Sequence, residues 1–183
     1  MRKINSEEDV IYALAKFLNE NHWEILACHP PGGHTSFSIL NGRRSKGVYM
    51  PDIAAVQKNK KRVPIVIIAE CKDDYNKSNT DIKKLKNISD IHADWISFRL
   101  QNHLNISMWK NRWRKKLQKV IAAGNIDNLE TIKQEIKENT DLIIINIEED
   151  LIQFFVGKES PAKKLFKKLT LNSDIPKIDY QEI

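Results

Sequence analysis

Val10, Ile11, Leu14, Phe17 and Leu18 recur at helical spacing, and Ser6 followed by Glu7, Glu8 and Asp9 supplies an N-cap with acids in the first turn. The pattern predicts an amphipathic helix over 6–21. Trp23 to Ala27 reads as a strand, Pro30-Pro31-Gly32-Gly33 as a turn, and Thr35 to Leu40 as a second strand. "NGRRSKG" at 41–47 is a polar, basic loop. Val48 to Gln57 and Val63 to Lys72 read as a third and a fourth strand, joined by an exposed hairpin tip, "KNKKR" at 58–62.

From Thr80 the period lengthens. Ile82, Leu85, Ile88, Ile91 and Trp95 predict a helix, and a second is expected from about Ser107 to Ala123, where Trp109, Trp113, Leu117 and Ile121 step by four. A more polar helix follows over Leu129 to Glu138. "DLIIINI" at 141–147 reads as a buried strand and "LIQFFVG" at 151–157 as its hairpin partner. Ser160-Pro161 opens a short basic helix, "AKKLFKKL", by the first-turn proline rule, and the tail from Asn172 reads as irregular. This order predicts an α+β fold, an α/β/α sandwich with a mixed central sheet flanked by helices. One domain over 1–183 is expected. Its core would lie at about 5–100 plus 140–157, with additional helices at about 107–138 and 160–170.

Composition narrows the class. The chain is 41% hydrophobic and 30% charged, and 30 Lys+Arg against 24 Asp+Glu leave +6 and a pI near 9.2. A basic excess suits a polyanionic partner without requiring one. Two cysteines, Cys28 and Cys71, make no disulfide framework, so a reducing cytoplasm is the expectation. The N-terminus runs straight into a charged helix start rather than a signal peptide, and apolar runs such as Leu142 to Ile145 are too short to span a bilayer.

Two fragments put acids where a buried strand should carry none: "YMPDIAAV" at 49–56 and "IIAECKDD" at 67–74. If their strands form an antiparallel hairpin centred on Lys61, cross-strand partners sum to 122, and Asp52 sits opposite Glu70, roughly 5 Å away at Cβ. Strand alternation puts Lys72 on the face of Glu70 and turns Cys71 the other way. Two carboxylates that close call for a cation between them. Glu7 lies within about 20° of the apolar stripe of its helix and so is expected to face the sheet as a further site acid. Oxygen ligands of this kind suit Mg²⁺, and a lysine beside it can orient a water and balance charge on a phosphorane-like transition state. Arg43, Arg44 and Lys46 before the site, Lys60 and Lys61 at the tip, and Arg112 and Lys115 on the tryptophan-bearing helix are candidate phosphate contacts. Trp109 and Trp113 themselves read as core. Cys28, His29, His34 and Cys71 match no standard zinc spacing.

"PD" at 51–52 and "ECK" at 70–72 resemble the bipartite motif of the PD-(D/E)XK nuclease superfamily, the restriction-endonuclease-like fold. The resemblance covers roughly residues 5–100: a first helix with an inward Glu at its start, a hairpin carrying the two halves, and helices after it. It implies that Asp52 and Glu70 are metal-binding acids, with the backbone carbonyl of Cys71 as an extra ligand. Lys72 would be the catalytic lysine and Glu7 the first-helix glutamate. The implied activity is Mg²⁺-dependent DNA endonuclease, with Mn²⁺ as a substitute, acting on double-stranded DNA as a homodimer in the cytoplasm, with no membrane partner. Within that class a type II restriction endonuclease is the expectation. A Holliday-junction resolvase or DNA-repair nuclease is the nearest rival, and a non-catalytic DNA-binding or partner subunit the rival from another class.

Overall fold

The computed structural model describes residues 4–29, 39–40, 48–57, 65–88, 117–148, 151–160, 163 and 177–183. Helix α1 (Glu7–Glu20) is closed at its start by a reciprocal cap. Ser6 Oγ accepts from Asp9 N–H, and an Asp9 carboxylate oxygen accepts from the Asn5 N–H. It ends where His22 enters the left-handed region at φ 64°, so that the His22 and Trp23 amides reach back to the carbonyls of Asn19 and Leu18. Strands β1 (Glu24–Cys28), β4 (Ile53–Gln57) and β5 (Ile65–Lys72) form an antiparallel meander. Between β1 and β4 lies a small separate hairpin, β2 (Ile39–Leu40) with β3 (Val48–Tyr49). A 3₁₀ turn (Tyr75–Lys77) and α2 (Asn79–Lys86) follow, then β6 (Leu117–Ala123), α3 (Leu129–Glu138), β7 (Leu142–Ile147), β8 (Leu151–Val156) and β9 (Lys177–Glu182).

The seven-stranded sheet runs β1-β4-β5-β6-β7-β8-β9. β5, β6 and β7 are parallel to one another, the β7–β8 pair is antiparallel, and β9 is parallel to β8, so the sheet is mixed. On one face α1 sinks Val10, Ile11, Leu14, Phe17 and Leu18 against Ile53, Ile67, Val120, Ile145 and Phe154. Each such side chain, once fully buried, contributes about 1.5–3 kcal/mol. On the other face Tyr75, Ile82 and Leu85, with Ile132 and Ile136 of α3, cover Val66, Ile68, Ile121, Ile144 and Phe155. Helices on both faces of a mixed sheet make the α+β class expected from the pattern.

The sheet departs from the sequence reading in three places. Leu117–Ala123, expected as the end of a helix, is a strand held between β5 and β7. It is buried nearly throughout, so it carries no period-2 signature, and Leu117 and Ile121 happen to continue the four-residue step of the tryptophans. The tail is not irregular: Lys177–Glu182 pairs with β8, a contact with no local sequence signal. The expected single strand Val48–Gln57 is broken at Met50–Asp52, where Pro51 has no N–H to give to a ladder. The tryptophan segment before 117 and the basic segment after Ser160, apart from Lys163, lie outside the described residues. Among the described residues no helix is long and apolar enough to cross a membrane.

Candidate active site

The observed β4–β5 partners, Ile53↔Ala69, Ala54↔Ile68, Ala55↔Ile67 and Val56↔Val66, all sum to 122. That register brings Asp52, just before β4, beside the carboxyl end of β5, where Glu70 and Lys72 point to the face covered by α2. Here the sheet changes from antiparallel to parallel pairing.

Asp52 does not complete the ladder as a backbone pair of Glu70. Its carbonyl accepts from the His29 N–H at 2.8 Å, extending β1, while its carboxylate accepts from the Cys71 N–H at 2.7 Å. The side chain thus takes the place of a ladder carbonyl. Burial raises the Asp52 carboxyl above its ordinary value; the Cys71 hydrogen bond and the Lys72 charge oppose this, and the charges of Glu7 and Asp81 add to it.

Lys72 is the hub. Its Nζ lies 2.7 Å from Glu7 Oε2, which reaches round the sheet rim from the start of α1, and 3.4 Å from Asp81 Oδ2 in the first turn of α2. Burial pushes the ammonium down. The hydrogen bond to Glu7 and the charges of Asp81, Glu7 and Asp52 outweigh that and hold it well above the ordinary lysine value. Lys72 is therefore a fixed cation at neutral pH, able to donate and to balance charge rather than to take a proton. Asp81 also binds Lys84 at 2.5 Å, and Lys84 lies 4.0 Å from Glu70. Glu70 and Asp81 are each 3% exposed. Gly124 N–H donates to the Lys72 carbonyl at 3.1 Å, and a Cβ on Gly124 would meet the Asp73 carbonyl at 2.9 Å, so the end of β6 passes this rim only as glycine.

Among the described residues, four carboxylates (Glu7, Asp52, Glu70, Asp81) and two ammonium groups (Lys72, Lys84) thus gather at this rim. Among the described residues no group of three or more His, Cys, Asp or Glu side chains is gathered closely enough to hold a metal ion. The donor set that the sequence singled out is smaller: two carboxylates, Asp52 and Glu70, and the Cys71 carbonyl. Hard oxygen donors of this kind suit Mg²⁺, which keeps several waters and needs only one or two protein carboxylates. The Cys71 thiol faces the α1 side, away from Glu70 and Lys72, where burial first, then the charges of Asp52, Glu70 and Glu7, push it well up.

Glu7, Asp52, Glu70 and Lys72 therefore meet at one rim. Arg43, Arg44, Lys46, Lys60, Lys61, Arg112 and Lys115 lie outside the described residues. Asp81 and Lys84 were not anticipated. Asp81, Leu85 and Ile88 share one helix face at i, i+4 and i+7, so the argument that turned Glu7 towards the sheet would have found Asp81 too. No family model, curated protein or solved structure matches this chain.

Proposed function

We propose that the protein is a Mg²⁺-dependent DNA endonuclease that uses the rim at the end of β5. The observation that carries the reading is the meeting of Asp52, Glu70 and Lys72 there, with Glu7 and Asp81 both on the lysine. The sequence resemblance supplies the reaction class, and the first helix with its Glu and the hairpin with its two motif halves support it.

Asp52 and Glu70, with the Cys71 carbonyl, would hold the ion. When bound it polarises the scissile phosphate and stabilises the departing oxygen. Glu7 and Asp81 hold Lys72 from two sides, so its ammonium faces the reacting phosphate in one orientation and offsets charge as it builds up. Lys72 also donates to and orients the attacking water. The water oxygen gives up a proton to solvent as it forms the new bond to phosphorus, the bond from phosphorus to the 3′ oxygen breaks, and that oxygen takes up a proton from solvent. The products are a 5′-phosphate and a 3′-hydroxyl. A homodimer, one site per strand, and a cytoplasmic setting belong to the same proposal, with type II restriction as the biological role.

The test is a cleavage assay with Mg²⁺, Mn²⁺ or chelator on linear duplex, four-way-junction and single-stranded DNA, alongside sedimentation of the free protein. Discrete fragments from duplex, dependent on the divalent ion, are the expected result. Symmetric nicks confined to junctions would move the assignment to a resolvase. Binding of DNA without cutting would leave a binding subunit and overturn the enzymatic reading.

A further inference from the structure

His29, just past the end of β1, is tied twice to the segment that carries Asp52. Its backbone N–H donates to the Asp52 carbonyl at 2.8 Å, and its ring Nδ1 lies 2.5 Å from the Pro51 carbonyl. A carbonyl oxygen only accepts, so Nδ1 carries the proton and Nε2 is left as a lone-pair acceptor. Nε2 is enclosed and has no hydrogen-bond partner among the described residues. An unpaired buried acceptor works against stability, so the ring is poorly explained as packing alone.

The segment that it grips needs gripping. Met50–Asp52 lies between β3 and β4, outside either ladder, and Pro51 offers no N–H. Among the described residues, Asp52 is anchored on its other side through its own carboxylate, on Cys71 N–H. A carboxylate held through a turn of this kind shifts when the turn shifts.

We propose that His29 is a positioning residue: its Nδ1–H clamps the Pro51 carbonyl so that the Asp52 carboxylate stays on the Cys71 amide and at the site. This deepens the reading of Asp52 as a functional acid and rests on it only for the catalytic consequence. The imidazole acts through Asp52 and touches no substrate.

The test compares His29→Ala with His29→Asn, whose side-chain N–H sits near the position of Nδ1. In metal-free protein, hydrogen exchange at the Cys71 amide, followed by NMR, should speed up about tenfold or more in His29→Ala and stay near wild type in His29→Asn. The amide of Ile145, in the middle of β7, should be unchanged in both. In cleavage assays kcat should fall roughly tenfold to hundredfold in His29→Ala with KM for DNA unchanged, and His29→Asn should restore it. Unchanged Cys71 exchange in His29→Ala overturns the proposal. Equal acceleration at Cys71 and Ile145 also overturns it, since that is general loosening. If the wild type cuts no DNA, the nuclease reading falls, and Cys71 exchange still decides the role of His29.

Discussion

In the variant Asp52→Ala, the Cys71 amide loses its acceptor while staying inside the sheet. The bond is short, 2.7 Å, and charge-assisted. Hydrogen bonds to charged groups contribute about 1.5–3 kcal/mol, and the orphaned N–H is fully buried. For a chain of this length each kcal/mol moves Tm by roughly 2–4 °C, so Asp52→Ala should melt about 3–12 °C lower without any metal. Asp52→Asn keeps an acceptor for Cys71 and removes a desolvated charge, so it should melt at or slightly above wild type. The pH dependence has a definite sign. Asp52 is raised in the folded state, so the native protein holds that proton more tightly than the unfolded chain. Its contribution is greatest below the ordinary carboxylate value and is lost as pH rises through the raised one. The advantage of Asp52→Asn should therefore vanish in acid and grow towards neutrality. With Mg²⁺ at a hundred times its Kd, wild type should gain about 2.7 kcal/mol. Asp52→Asn should gain almost nothing and lose cleavage. The assay is thermal melting at several pH values, with and without Mg²⁺, alongside DNA cutting. An Asp52→Ala protein as stable as wild type would refute the hydrogen-bond argument, and a full Mg²⁺ shift or full cleavage in Asp52→Asn would refute the metal assignment.

Asp81→Asn takes a buried carboxylate away from its two ion-pair partners, Lys72 and Lys84, and leaves Glu7 as the ion-pair partner of Lys72 among the described residues; a loss of about 1–2 kcal/mol in urea unfolding and a lower kcat are expected, and an unchanged kcat would remove Asp81 from the site. Gly124→Ala drives a methyl against the Asp73 carbonyl and should cost about 1–3 kcal/mol, whereas Gly157→Ala, which meets only the end of the Ile136 side chain at 3.1 Å, should cost less. Tyr75 has a buried hydroxyl with no partner among the described residues, so Tyr75→Phe should be neutral or stabilising by up to about 1 kcal/mol. Burial, then the Glu135 charge, pushes the Tyr75 phenol up to about 12, so its share of stability is intact below about 10 and is lost as pH rises through 12. Urea midpoints between pH 8 and 12 should fall further for wild type than for Tyr75→Phe.

Sequence alone determined the elements whose signal is local. Five apolar residues at helical spacing behind a Ser6 cap make α1, the polar stripe of 129–138 makes α3, and the turn between two apolar runs makes β7 and β8. A hairpin centred on Lys61, in the basic tip between two apolar runs, also matches the β4–β5 register, whose partners all sum to 122. Tertiary structure decided whatever depends on distant partners. A strand buried on both faces, as β6 is, has no period to read, and β9 pairs in parallel with a strand some 25 residues earlier. The site follows the same division. Asp52, Glu70 and Lys72 stand out as charges beside apolar runs. The grip of Asp81 on Lys72, of the Asp52 carboxylate on Cys71 and of His29 on Pro51 arises only where three elements converge, since a side chain's partner depends on the face and depth at which the fold delivers it.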